Sequence, residues 1–181
     1  VGAASAEPLD HFATTDDIGV NKVPHLGESH VLVIPHRTGQ TAFPAARLAE
    51  LQKVFAPEGG PGTFRDFWRV TSNGRYDPIP TLAMPVLSTT CPLPDHTIDN
   101  CKVSLMDIDL IGSAGLRFAL QDILARVRDE QQLDLAQFDV NSATGVGSDG
   151  YFDGLILDTD IYSGIGFPLA AFLDRVGVQP G

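Results

Sequence analysis

Residues 138–160 read FDVNSATGVGSDGYFDGLILDTD, and this stretch decides the fold. Its first part is rich in Asp, Asn, Ser and Gly, which favour tight turns because Asp and Asn side chains bond local backbone N–H groups. Its last part, residues 154–160, contains a short apolar run that is typical of a buried strand. The stretch therefore predicts a polar turn that leads the chain back into the core.

A long amphipathic helix is predicted immediately before this turn, over residues 113–132. Apolar side chains recur there at helical spacing and form one stripe, while charged side chains lie mostly on the other side. The stripe consists of Leu116, Ala119, Leu120, Ile123 and Val127. Such a helix is expected to pack its apolar side against a sheet.

The upstream half supplies a second strand and two more helices. Residues 30–35 form a β-branched apolar run that we expect to be a central strand stopped by Pro35. Helical spacing predicts a helix over residues 45–56, and residues 76–87, with several prolines, are expected to be edge strands or an extended loop. The element order predicts an α/β (mixed α+β) fold with a central mixed sheet and backing helices.

A further helix is predicted to begin after Thr63, which can act as its N-cap with Asp66 three residues later. Phe64, Phe67 and Trp68 fall at helical spacing in this segment, and aromatic residues in this pattern usually belong to a core. We therefore expect them to be buried. A last short helix is expected over residues 167–176.

Composition places the chain among globular proteins. Its 181 residues fit one domain, which we assign to residues 30–181 after an irregular arm over residues 1–29. The formal net charge is -11, and an acidic surface repels nucleic acid and anionic membranes, so neither is expected as a partner. No apolar run approaches the roughly 18 residues that a membrane span needs.

Cys91 and Cys101 are the only cysteines, and the residues between them are rich in turn-forming Pro, Asp and Asn. The ends of such a loop can meet within disulfide reach, which predicts a bridge and a secreted, oxidising location. Two reduced buried thiols, or a zinc site that also uses His96, are the alternatives.

The polar turn also suggests a calcium site. Calcium prefers six to eight oxygen ligands, and Asp139, Asn141, Asp149 and Asp153 offer side-chain oxygens within a glycine-containing loop. The spacing differs from that of an EF-hand loop. The alternative interpretation is a turn in which Asp and Asn side chains bond local N–H groups without an ion.

No catalytic residue can be assigned from the sequence. Zinc peptidases place two histidines one helical turn apart in an H-E-x-x-H motif, and none of the five histidines has this arrangement. A serine or acidic residue that meets a histidine only in space would leave no such signature.

Three features in sequence order resemble the secreted zinc metalloproteases of the immune-inhibitor-A type. They are the opening strand, the segment FRDFWRVTSNGRY at residues 64–76, and the acidic tract that starts at Phe138 and leads into the strand after Asp153. The resemblance covers roughly residues 29–165 and implies a zincin-like N-terminal lobe. The family's H-E-x-x-H helix lies further downstream and is absent from these residues.

The resemblance implies one function, and two others stay open. The first is the N-terminal portion of a secreted zinc metalloendopeptidase. It would hold structural calcium, and a downstream segment or partner chain would supply the zinc ligands. Its partner would be that segment or a protein substrate. The alternative is a non-catalytic secreted calcium-binding structural or protein-binding domain of the same fold. The third is an unrelated hydrolase whose Ser or Asp/Glu residues meet in space.

Overall fold

A computed structural model describes residues 24–92, 97–101, 103–104, 114–141, 147 and 152–163. The helices are α1 (Ala45–Val54), α2 (Phe64–Thr71) and α3 (Ala114–Gln131). The strands are β1 (Gly27–Thr38), β2 (Tyr76–Leu82), β3 (Val86–Ser88), β4 (Val103–Ser104), β5 (Gly154–Asp158) and β6 (Tyr162–Ser163). Short 3-10 turns occupy Ile98–Asn100 and Leu135–Phe138. The predicted helix over residues 167–176 lies outside the described residues.

Strand β1 is the centre of the sheet. It pairs with β2 over Gly27 to Val33, with β5 over Val31 to Pro35, and with β3 over His36 to Thr38. All three pairings are parallel, and β4 and β6 form a separate parallel pair. The α/β class is confirmed, while the antiparallel strand that a mixed sheet requires is not found in the described part of the chain.

The prediction that Pro35 stops β1 is wrong. The strand continues to Thr38, and Pro35 is itself in register with Asp158 of β5. A proline removes only one backbone donor from a ladder, and the pairing with β3 resumes at the next residue. The strand also begins at Gly27, three residues before the predicted start, because its pairing with β2 starts there.

The core lies between the sheet and α3. From Leu120 onward, where the side chains of α3 are described, four residues are fully buried and pack with alternate residues of β1, with β5 and with the turn after the helix. These buried residues include Leu120, Ile123, Leu124 and Val127 from α3, Leu32 and Ile34 from β1, Leu155 from β5 and Phe138 from the turn. The predicted apolar stripe of the long helix is thus confirmed at its three positions from Leu120 onward.

Strand β2 is an edge strand of the sheet. The Ala83 N–H donates to the Val33 carbonyl, so the backbone groups of Ala83 face β1. The backbone groups of successive strand residues face opposite sides, and those of Tyr76, Pro78 and Pro80 therefore face away from β1. Two of those positions are prolines without an N–H, and the Tyr76 N–H is bonded to the Ser72 hydroxyl. The outer edge therefore offers no free donor through Pro80, which protects it from pairing with another strand.

The Thr63 cap of α2 is confirmed, since its hydroxyl oxygen accepts the Asp66 N–H at 3.2 Å. The expectation that the aromatic residues of this helix are core is wrong for Phe67 and Trp68, whereas Phe64 is half-buried. Phe67 is 58% exposed and Trp68 is 40% exposed, and no residue of α2 is fully buried. The helix packs against the edge strand β2, where only one side of it can be covered.

Candidate functional site

The acidic turn is fastened to β1 by the carboxylate of Asp153, which is fully buried. One carboxylate oxygen accepts the His30 N–H at 2.8 Å. The other accepts the N–H groups of Val140 at 3.2 Å and Asn141 at 3.1 Å. A single side chain therefore holds the end of the turn, its beginning and the central strand together.

The side chain of Asn141 makes the same connection from the opposite direction. Its amide nitrogen donates to the carbonyl oxygens of Leu26 at 2.7 Å and Glu28 at 2.8 Å. The residue is almost fully buried, so these bonds replace lost contacts with water. The start of β1 is thus bound to the acidic turn at two points.

Burial raises the pKa of the Asp153 carboxyl from 3.8 to about 6. The three backbone N–H bonds oppose this rise because they favour the charged form, whereas the negative charge of Asp139 adds to it. A bound cation would relieve the same repulsion.

Three of the four predicted calcium ligands are described, and the turn brings them into one neighbourhood. Asp153 Oδ1 already accepts two backbone N–H groups and Oδ2 accepts one, as the ion-free interpretation of the turn also requires, so Oδ2 is the oxygen that keeps a lone pair for a metal. Asp149 lies outside the described residues. Within the described ranges, no group of three or more His, Cys, Asp or Glu side chains has the arrangement of a metal site.

A second polar cluster, which sequence reasoning missed, lies where β1, β3 and β5 end. His36 Nε2 is 3.0 Å from the Ser88 hydroxyl, and His36 Nδ1 is 2.7 Å from the Thr159 hydroxyl. The Ser88 hydroxyl also donates to Asp122 of α3 at 3.4 Å, and Asp122 is paired with Arg126 at 3.0 Å. Parallel strands end at one edge of a sheet, which is why these distant residues meet.

One direction of donation satisfies every group in this cluster. The Ile161 N–H donates to the Thr159 hydroxyl oxygen, and the Thr159 hydroxyl can then donate to His36 Nδ1. His36 Nε2–H donates to the Ser88 oxygen, whose own proton is directed to the Asp122 carboxylate. This assignment makes His36 a neutral Nε2–H tautomer.

The pKa of His36 agrees with a neutral ring. Burial is the main cause that lowers this pKa from 6.5 to about 4, while the charge of Asp160 opposes the fall. Ser88 and His36 are both fully buried.

A serine bonded to a histidine is the geometry that activates a nucleophile. Here the carboxylate contacts the serine rather than the histidine, the orienting group is a threonine hydroxyl, and neither Ser88 nor His36 reaches the surface. We therefore interpret the cluster as a structural connection between the strand ends and α3. Only the parallel pairing of the strands could have revealed it, and the periodicity of the sequence does not specify strand direction.

The predicted disulfide is confirmed. Cys91 and Cys101 are bridged with an S–S distance of 2.01 Å and a Cα–Cα distance of 5.4 Å. Cys101 is buried in the main core, so the bridge ties the loop after β3 to the centre of the molecule. The bridge excludes the reduced thiols and the zinc site that used both sulfurs.

Within the described part of the chain, no helix combines the length and the apolar character that crossing a membrane requires. No protein-family model, curated protein or solved structure gives a match to this chain.

Proposed function

We propose that this chain is the N-terminal lobe of a secreted zinc metalloendopeptidase, with the zinc ligands outside these 181 residues. The observation that carries the proposal is the attachment of the acidic turn to β1 through Asp153. The resemblance relates this turn to the family's acidic tract, between a long helix and a buried strand. The disulfide fits a secreted location, since such bridges persist in oxidising compartments.

In such an enzyme, zinc held by residues outside this chain would supply the activated water for attack on the peptide carbonyl. The residues of this chain would contribute the sheet, its backing helix α3 and the turn that joins them. The partner of the lobe would be the zinc-bearing segment, and a protein would be the substrate.

The experiment is to express the chain together with whatever its gene encodes after Gly181 and to measure hydrolysis of a labelled casein. We expect hydrolysis that a zinc chelator abolishes and added zinc restores. A variant without the first histidine of the downstream H-E-x-x-H motif is the inactive control. A gene without that motif, or activity that survives the chelator, would overturn the proposal.

We further propose that Asp139, Asn141, Asp149 and Asp153 bind a structural calcium ion. The geometry supports this, because the N–H bonds of Val140 and Asn141 to Asp153 Oδ1 hold the start of the turn beside the Asp153 carboxylate. Calcium at one hundred times its dissociation constant would stabilise the folded state by about 2.7 kcal/mol.

Calcium binding is tested by thermal unfolding in calcium and in EDTA. The variants Asp139→Asn and Asp149→Asn should lose the increase in melting temperature that calcium gives, whereas the exposed-residue control Glu58→Gln should keep it. Equal melting temperatures of the unmodified chain in both buffers would exclude the calcium site.

A protein-binding domain without catalysis is the second candidate, and the exposed aromatic side chains of α2 favour it. A stop codon directly after Gly181 would support this candidate over the peptidase.

A further inference from the structure

Helix α2 presents an apolar surface to solvent, which we call the α2 aromatic face and define as Phe67, Trp68 and Val70. These side chains are 58%, 40% and 66% exposed. The rings of Phe67 and Trp68 are in contact, with centroids 5.4 Å apart, and Phe67 and Val70 are neighbours one helical turn apart. Contiguous exposed apolar groups of this kind mark a binding surface more often than scattered ones do.

Positive charge borders this face, although the chain as a whole carries a net charge of -11. Arg65 is held by two bonds of 2.7 and 2.8 Å to Asp77 and by a bond to the Pro57 carbonyl. Arg69 lies 3.8 Å from the same carboxylate and is 54% exposed. Arg75 is exposed and its side chain donates to the Ser72 carbonyl. Two guanidinium groups therefore retain donors for a further acidic partner.

The start of β1 lies beside this face. The Gly27 N–H donates to the Arg75 carbonyl at 2.7 Å, and Gly27 is in register with Tyr76. The ring of Tyr76 is in edge contact with Trp68, with centroids 6.0 Å apart. Residues that precede β1 in the sequence therefore join the sheet next to the α2 aromatic face.

The segment 7–20 of the same chain has the complementary chemistry. It contains four acidic residues and no Lys or Arg, with apolar residues between the acids. The acidic residues are Glu7, Asp10, Asp16 and Asp17, and the apolar ones include Leu9, Phe12, Ile18 and Val20. Six residues separate Val20 from Gly27, and these seven steps of the chain span up to about 24 Å when extended, so the face is within reach.

We propose that segment 7–20 binds the α2 aromatic face, with its carboxylates on Arg69 and Arg75 and its apolar side chains on Phe67 and Trp68. This intramolecular contact would shield the face from other proteins. It is independent of the proposed peptidase function, because every group involved belongs to this chain.

Trp68 is the only tryptophan, so its fluorescence reports on this contact directly. The test compares acrylamide quenching of Trp68 in the full chain and in the Asp16→Asn/Asp17→Asn variant. Losing two exposed ion pairs should lower the ratio of bound to unbound segment by about fivefold, with increased quenching and a red-shifted emission. The control Glu58→Gln/Asp99→Asn removes the same charge elsewhere and should leave the quenching unchanged.

The reciprocal variant Arg69→Gln/Arg75→Gln should also increase the quenching, and adding it to the aspartate variant should have little further effect. Fully additive effects of the two variants would show that these groups do not interact and would overturn the proposal. Unchanged quenching in the aspartate variant would overturn it as well. Protection of Trp68 that rises with protein concentration would show instead that a second copy of the chain covers the face.

Discussion

Replacing His36 with glutamine should change how the stability of the protein depends on pH. The pKa of His36 is 6.5 in an unfolded chain and about 4 in the folded protein. Between these values the unfolded state binds more protons than the folded state, so stability falls as the pH falls. The contribution of His36 is complete above pH 6.5 and is lost progressively toward pH 4.

The magnitude follows from these two values. Each pH unit between them is worth about 1.4 kcal/mol, so the loss amounts to about 3 kcal/mol. Asp153 has the opposite effect, because its pKa is raised from 3.8 to about 6 in the folded state. Its contribution is present below pH 3.8 and is lost as the pH rises toward 6, so the two groups nearly cancel in the unmodified protein.

Urea unfolding of the unmodified protein and of the His36→Gln variant separates the two groups. Asp153 contributes equally to both proteins, so it drops out of the difference between their free energies of unfolding. We expect this difference to shrink by about 3 kcal/mol from pH 7 to pH 4. A difference that stays constant over this range would refute both the buried neutral ring and the hydrogen-bond assignment built on it.

Three further predictions concern other contacts. Asp153→Asn should lower the free energy of unfolding at pH 7 by about 2 kcal/mol, since an amide cannot accept all three N–H bonds; urea unfolding measures this, and an unchanged value would contradict the attachment of the acidic turn. Replacing Cys91 and Cys101 together by serine should cost roughly 2–3 kcal/mol in thermal unfolding, and the unmodified chain should show no free thiol by mass spectrometry without reductant. Gly154→Ala should cost roughly 1–2 kcal/mol, because the added carbon would lie 3.1 Å from a methyl group of buried Val31, and a neutral effect would show that β1 can shift to make room.

The sequence predicted those elements whose local signals agree with their surroundings. Helix α3 has a regular apolar stripe, and α2 has a threonine cap. The bounds of α1 differ from the prediction only at its end, since the helix stops at Val54 rather than residue 56. In each case, the property that forms the element lies within the element itself.

The errors arose where tertiary position decides. Pro35 has a local signal for a strand end, but it is still in register with the last residue of β5, and β3 pairs with β1 from His36 onward. Phe67 and Trp68 have the spacing of core residues, but their helix lies at an edge strand that covers one side only. The spacing of residues along a helix predicts the side of the helix on which a side chain lies, but not whether another element covers that side.

The same distinction between local signals and tertiary position applies to the two candidate sites. The acidic turn is continuous in sequence, so its residues could be named in advance. The cluster of His36, Ser88, Thr159 and Asp122 joins four elements, and it exists only because the strands are parallel. Its members carry no local pattern that distinguishes them from other polar residues.

Anomalous diffraction from crystals of the chain grown with calcium and zinc is the most direct test of the calcium site. It shows whether a calcium ion holds the acidic turn in place and whether this chain has zinc ligands of its own. We predict a calcium peak about 2.3–2.6 Å from oxygens of Asp139, Asn141, Asp149 and Asp153, with no ordered zinc bound by protein ligands of this chain. Acidic side chains that point apart into solvent with no peak between them would contradict the calcium site and remove the main support for the peptidase lobe.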